Sequence, residues 1–245
     1  MIKVHFIHGF LGFPSDWDSF KEDMNEYNYK FHSISDYMSP HSNNENSKFV
    51  LWAMKFNSSV FKEPIKNKNI LIGYSLGGRL ALHALIQSNK WDAAIIVSAN
   101  PGLSHEAEKQ ARIANDIAWA NRFLNEKWEN VMESWNSQGV FSNMKNILTR
   151  DEKQFNKNEV ASMLTDFSLG KQENLREKIK SLHIPILWLA GDKDSKFANV
   201  TMEMKELINT IEIKIIADAG HRIPWEKPKE FKEVCFNFIN KNLIK

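Results

Sequence analysis

A serine set among glycines, Gly73-Tyr74-Ser75-Leu76-Gly77, lies between an apolar run, Asn69-Ile70-Leu71-Ile72, and a helical segment, Leu80 to Leu85. In a strand–turn–helix of this kind the glycines admit close backbone approach and the hydroxyl stands clear of the sheet end. The helix N-terminus that follows favours negative charge developing beside it. The plainer alternative is an ordinary strand-to-helix turn with a capping serine. A serine works as base or nucleophile when a histidine takes its proton and a carboxylate steadies the imidazole. In the chain order Ser, Asp, His, the candidates follow two later apolar runs: Gly191-Asp192-Lys193-Asp194-Ser195 and Asp218-Ala219-Gly220-His221. His221 is the expected proton acceptor and Asp194 the expected carboxylate. Asp192 reads as a turn residue and Asp218 as a loop residue, although spacing alone cannot give side-chain direction.

His8-Gly9-Phe10-Leu11-Gly12 follows the first apolar run directly. The backbone N–H groups of Phe10 and Leu76 are the expected donors to a developing oxyanion. The loop could also be a glycine-rich turn held by His8, and the two roles are compatible. The remaining histidines (5, 32, 41, 83, 105 and 183) lack partners at useful spacing. With no P-loop, no G-x-G-x-x-G and no cysteine cluster, no metal site and no cofactor are expected.

The elements that would position these groups alternate. Short apolar runs are predicted as strands at Ile2–Ile7, Tyr29–Ile34, Asn69–Gly73, Ala93–Ser98, Pro185–Ala190 and Ile211–Ala217. Helical periodicity falls between them, at Asp16–Met24, Lys48–Phe61, Leu76–Ser88, Asn199–Ile208 and Lys229–Asn242. This pattern predicts an α/β protein with a mostly parallel sheet of about six strands flanked by helices. From about Pro101 to Ser181 no strand is evident, and apolar and aromatic residues recur at helical spacing instead. Residues 1–245 are therefore expected to form a single domain, with 101–181 an inserted helical cap over the strand ends. The polar stretch His41–Lys48 reads as a surface loop.

Composition narrows the function. Among 245 residues, 32 basic and 30 acidic side chains give a formal net charge of +2. That near-neutral balance lacks the basic footprint of a nucleic-acid-binding protein. No apolar run approaches the roughly 20 residues of a membrane span, and the N-terminus reads as a strand, so a soluble cytoplasmic protein is expected. A single cysteine, Cys235, precludes an internal disulfide. Lysines outnumber arginines 26 to 6, so each arginine invites the question of what its planar fork binds.

The whole pattern resembles the α/β-hydrolase superfamily. The resemblance narrows to its 2-succinyl-6-hydroxy-2,4-cyclohexadiene-1-carboxylate synthases of menaquinone biosynthesis, through Gly73 to Arg79, Pro101-Gly102-Leu103, Arg112, Asp116, Trp119, Arg122-Phe123-Leu124, Trp135, Val140-Phe141, Ser168-Leu169, Leu175-Arg176 and Asp194-Ser195-Lys196-Phe197. This resemblance implies a lyase that eliminates pyruvate from 2-succinyl-5-enolpyruvyl-6-hydroxy-3-cyclohexene-1-carboxylate, with Ser75, His221 and Asp194 acting as a base. A small polycarboxylate ligand asks for fixed cations; Arg79 and Arg112 are the candidates, with Arg150 the nearest to a third, and Tyr74 and Trp135 are pocket walls. Arg79 could instead cover the sheet, Arg112 be a helix-surface charge and Trp135 be core. The same triad would also serve a serine hydrolase (carboxylesterase, thioesterase or C–C bond hydrolase) through an acyl-enzyme. After the second strand the sequence departs from the family's usual run, reading Ser35-Asp36-Tyr37-Met38-Ser39-Pro40-His41-Ser42. Oligomeric state is not encoded in any motif.

Overall fold

The computed structural model describes residues 1–20, 27–39, 47–62, 67–141, 144 and 146–244. Six strands form one sheet: β1 (Ile2–Ile7), β2 (Asn28–His32), β3 (Lys68–Tyr74), β4 (Ala93–Val97), β5 (Ile186–Gly191) and β6 (Glu212–Ile216). All five pairings are parallel and the order is β2-β1-β3-β4-β5-β6. The chain winds outward from β1 to β2, then returns to the other side of β1 to lay down β3 onward. Loops at the C-terminal strand ends therefore converge near β1 and β3, where open parallel sheets bind ligands.

Helices cover both faces. They are α1 (Lys48–Val60), α2 (Leu76–Ile86), α3 (Glu106–Asn125), α4 (Trp128–Asn136), α5 (Lys157–Asp166), α6 (Arg176–Lys180), α7 (Ser195–Leu207), α8 (Ile223–Glu226) and α9 (Pro228–Leu243). Side chains alternate across a strand with period two, and the core divides accordingly. Ile7, Leu71, Ile96 and Trp188 meet Trp52 and Phe56 of α1, Leu80 of α2 and Met204 of α7. Phe6, Ile72, Ile95 and Leu189 face Trp17, Phe20 and, from α9, Phe231, Phe238 and Ile239. Each large apolar side chain so buried stabilises the fold by about 1.5–3 kcal/mol before ordering entropy is counted.

Between β4 and β5 the described residues are helical or irregular. They build a third cluster from Ala120, Phe123, Trp128, Val131, Val160, Ala161 and Leu164, which Leu11 joins from the loop after β1. Contact with that loop, through Phe10 and Leu11, is what seats this block over the strand ends.

Most element boundaries fall within two residues of expectation, and two elements depart further. The helix predicted at Asp16–Met24 is a 3-10 segment, Pro14–Phe20; residues 21–24 lie outside the described part. The three-residue spacing of Trp17 and Phe20 suits the tighter turn, and both are fully buried. Helix α7 begins at Ser195, four residues before the predicted Asn199, because Asp194 supplies its N-cap. Helix α1 begins at Lys48 as expected, with Ser47 as its N-cap; residues 40–46, most of the divergent loop 35–47, lie outside the described part. No helix among the described residues is long and apolar enough to cross a membrane.

Candidate active site

Four loops deliver the site. Ser75, between β3 and α2, has φ +53° and ψ −112°, a backbone conformation that costs a non-glycine residue about 1–3 kcal/mol. Packing enforces it. A Cβ on Gly77 would collide with the carbonyls of Ile7 and His8, and one on Gly73 with the Gly77 carbonyl. Only glycine lets α2 start this close to the strands, and the tight turn presents the serine hydroxyl at the sheet edge.

His221 follows β6. Its Nε2 lies 3.0 Å from Ser75 Oγ and its Nδ1 2.7 Å from Asp194 Oδ2. With Nδ1–H donating to the carboxylate, Nε2 is left to accept the serine proton. The imidazole is buried among three aromatic rings, Phe197 (4.7 Å between centroids), Tyr74 and Phe141 (5.5 Å each), which fix its plane. Asp194 is buried too, and it also accepts from the Phe197 amide at 3.4 Å. Of the three aspartates weighed, it alone reaches the histidine. Asp192 and Asp218 instead face Lys193, at 3.8 and 3.2 Å.

The Phe10 and Leu76 amides have no acceptor among the described residues. Both residues line the cavity in which Ser75 stands. The loop carrying Phe10 is braced by His8, whose Nδ1 donates to the Gly9 carbonyl (2.8 Å) while Nε2 accepts from the Ile34 amide (3.1 Å). Burial lowers His8 from 6.5 to about 4, against the opposing pull of the Gly9 carbonyl, so it is neutral and structural at ordinary pH.

The cavity has a volume of about 490 Å³ and is lined from both the strand ends and the overlying helical block. Its charged residues are Arg79, Arg112, Asp116 and Lys196. Arg112 Nε is held by Asp116 at 2.8 and 2.9 Å. Arg79 has no carboxylate within ion-pair distance among the described residues. Its Nη1 donates to the Phe167 carbonyl (2.9 Å) and Gln172 Oε1 (3.3 Å), and the guanidinium lies 5.5 Å from the Phe49 ring. Burial, then the neighbouring Arg112, disfavours its charged form. Arginine nonetheless stays cationic at neutral pH, so an anion entering the cavity would meet a cation with no ion-pair partner among the described residues. Trp135 lines the cavity and also packs on Phe10 (4.9 Å) and Trp119 (5.0 Å), so it is wall and core at once.

Two expected residues lie elsewhere. Tyr74 lines a second, smaller cavity behind Ser75, its ring edge-on to Trp225 at 4.9 Å. Arg150 lines that same space, paired to Asp16 through two bonds of 2.9 and 2.6 Å. Ser98 and Lys196 also line the larger cavity and Arg222 the smaller one, though no motif marks them for a role. Lys196 directly follows the Asp194-Ser195 pair, Ser98 follows β4 with φ +47°, and Arg222 directly follows His221. Among the described residues, no group of three or more His, Cys, Asp or Glu converges as a metal site would require.

Known proteins share this arrangement of chain. The α/beta hydrolase fold family matches residues 4–228. A Haemophilus influenzae protein, named provisionally as a 2-succinyl-6-hydroxy-2,4-cyclohexadiene-1-carboxylate synthase, is 31% identical over 98% of both chains. The chain belongs to the α/β-hydrolase family, among its 2-succinyl-6-hydroxy-2,4-cyclohexadiene-1-carboxylate synthases. The Citrobacter koseri synthase is 30% identical over 91% of this α/β-hydrolase and 88% of its own length. Among solved structures, MenH from S. aureus superposes with a TM-score of 0.86 at 24% identity, covering 98% of this chain and 94% of that one. A thermophilic esterase from Thermogutta terrifontis superposes at 0.72 with 17% identity, covering 98% and 90%. At these identities the two structures establish the α/β-hydrolase fold and nothing finer.

Proposed function

We propose that this α/β-hydrolase is a carbon–oxygen lyase that eliminates pyruvate from 2-succinyl-5-enolpyruvyl-6-hydroxy-3-cyclohexene-1-carboxylate in menaquinone biosynthesis. The observation that carries the reading is the cationic cavity opening on Ser75, in which Arg79 has no counter-charge of its own among the described residues. An acyl transfer to water has no need of such a cation. A ligand with several carboxylates does.

The chemistry follows from the positions of the double bonds. The substrate is a 3-cyclohexene and the product a 2,4-cyclohexadiene, so ring C2 loses a proton, its electron pair forms C2=C3, the C3=C4 π pair shifts to C4=C5, and the C5–O bond breaks. Ser75 Oγ takes the C2 proton as its own passes to His221 Nε2, and Asp194 stabilises the resulting imidazolium. Charge developing on C2 is delocalised onto the succinyl ketone oxygen, which the Phe10 and Leu76 amides receive. The enolpyruvate that leaves takes up one proton, returned through His221, and tautomerises to pyruvate. One C–H and one C–O bond are exchanged for a conjugated diene, with no change in oxidation state and no covalent enzyme intermediate.

In this reading Arg79 and Arg112 hold substrate carboxylates, Trp135 forms a wall against the ring, and residues 101–181 act as the cap that excludes water. The partner is a small polycarboxylate, and the setting is the cytoplasm. The test is pyruvate release from the enolpyruvyl substrate, followed by coupling to lactate dehydrogenase. Wild-type protein should release one pyruvate per diene formed and Ser75→Ala essentially none; a wild-type sample that releases none overturns the proposal.

A further inference from the structure

The second cavity behind Ser75 has a chemistry of its own. It is small, about 70 Å³, and it shares Phe10, Ser75, Trp135 and Phe141 with the larger one, so the two meet at the serine. At about 30 Å³ of liquid volume per water molecule, it has room for roughly two waters or the carboxylate end of a small fragment, and none for a substituted ring. Its charged residues are Asp16, Arg150 and Arg222. Asp16 and Arg150 neutralise each other in a two-bond pair, which leaves the charge of Arg222.

Arg222 is an unusual cation. It is only 8% exposed, and no carboxylate lies within ion-pair distance of it among the described residues. Its one side-chain hydrogen bond there runs from Nη2 to Asn136 Oδ1, 2.5 Å. The guanidinium lies over the Phe141 ring, 4.0 Å from Cζ to the centroid, a cation–π contact that favours this position. The nearby Glu226 carboxylate is occupied by backbone N–H groups, those of Gly220 (2.5 Å) and Arg222 (3.3 Å). Among the described residues Nε and Nη1 are thus left without acceptors, in a site that burial makes unfavourable for charge. An unpaired buried guanidinium destabilises a fold unless something anionic visits it.

We infer that Arg222 and the small cavity around it form a carboxylate subsite for the three-carbon enolpyruvyl arm of the substrate, and for pyruvate after the C5–O bond breaks. This rests on the elimination reading above. The larger cavity then receives the ring and succinyl carboxylates on Arg79 and Arg112, and the arm passes beside Ser75 into the smaller one. Binding the arm there holds the C5–O bond at the junction of the two spaces, next to the imidazole that returns the proton. It also explains why no described carboxylate pairs with the guanidinium: a permanent one would shut out the arm.

The experiment compares wild type, Arg222→Met and Arg222→Lys in two measurements. One is direct titration of pyruvate by tryptophan fluorescence, since Trp135 and Trp225 line the cavity. The other is the inhibition constant for 2-succinylbenzoate, which has the ring and succinyl carboxylates without the arm. Arg222→Met should weaken pyruvate at least tenfold and leave 2-succinylbenzoate within twofold, and Arg222→Lys should recover part of the pyruvate loss. Pyruvate binding that is absent in wild type, unchanged in Arg222→Met, or weakened only in step with 2-succinylbenzoate overturns the subsite. Because the titration needs no turnover, the two readings separate. Arg222-dependent pyruvate binding by a protein that eliminates nothing sinks the reaction and spares the subsite. Normal elimination with Arg222-independent binding does the reverse.

Discussion

Replacing Arg79 by methionine separates recognition from structure. The substitution keeps the aliphatic length that packs beside Phe49 and removes the guanidinium. On the stability side, the Phe167 carbonyl and Gln172 Oε1 each lose a donor, at about 1 kcal/mol apiece. Against this stands relief from holding a part-buried cation with no carboxylate partner among the described residues, worth a few kcal/mol in the other direction. The two nearly cancel, and unfolding free energy should move by no more than about 1 kcal/mol. On the functional side, a charge-assisted hydrogen bond to a substrate carboxylate is worth about 1.5–3 kcal/mol, or roughly 10- to 150-fold in kcat/KM. The carboxylate lies away from the bonds that change, so the loss should appear in KM with kcat largely kept. Initial rates of pyruvate release and urea denaturation of the same preparations measure both. A variant destabilised by more than about 3 kcal/mol with KM unchanged would show that Arg79 supports the fold and refute its role in recognition.

Other perturbations have equally definite outcomes. Ser75→Gly should abolish pyruvate release yet stabilise the protein by about 1 kcal/mol, because glycine tolerates the positive φ; thermal unfolding would show a rise of roughly 2–4 °C. Asp194→Asn should lower kcat by roughly 10³–10⁴-fold with little change in KM, because an amide can favour the wrong imidazole tautomer. His8 contributes to acid sensitivity with a fixed sign. Its folded value of about 4 lies below the unfolded 6.5, so it has no effect above pH 6.5, and stability falls progressively as pH drops from 6.5 to about 4, by about 3 kcal/mol. Urea midpoints across that range should show a shallower pH slope for His8→Asn than for wild type.

Much of this was legible in the chain because the local signals agree with one another. The glycines around Ser75 and the apolar runs before it and before Asp194 and His221 all belong to one strand-end geometry. Parallel pairing then delivers residues 75, 194 and 221 to the same edge. Choosing Asp194 over Asp192 and Asp218 required side-chain direction, which depends on the cap it makes for α7 and on the positive φ at Asp218. The 3-10 geometry of Pro14–Phe20 was hidden because Trp17 and Phe20 obey helical spacing equally well, and tertiary contact with Phe6 and Phe231 decides. Tyr74 and Arg150 line the smaller cavity because β3 ends in the one and Asp16 pairs with the other, which spacing cannot reveal. Arg222 carried a signal that composition could have supplied: in a chain with 26 lysines and 6 arginines, an arginine directly after the expected general base stands out.

The claim at the centre of this account is that Ser75 removes a proton from carbon in a cation-lined cavity, without becoming acylated. The measurement that meets it most directly is a side-by-side assay of one purified sample against the enolpyruvyl substrate and a small aryl ester, with Ser75→Ala as the common control. Ser75-dependent pyruvate release should dominate by orders of magnitude, with no burst of phenol from the ester. Rapid ester turnover with a stoichiometric burst, alongside no release of pyruvate, would contradict it.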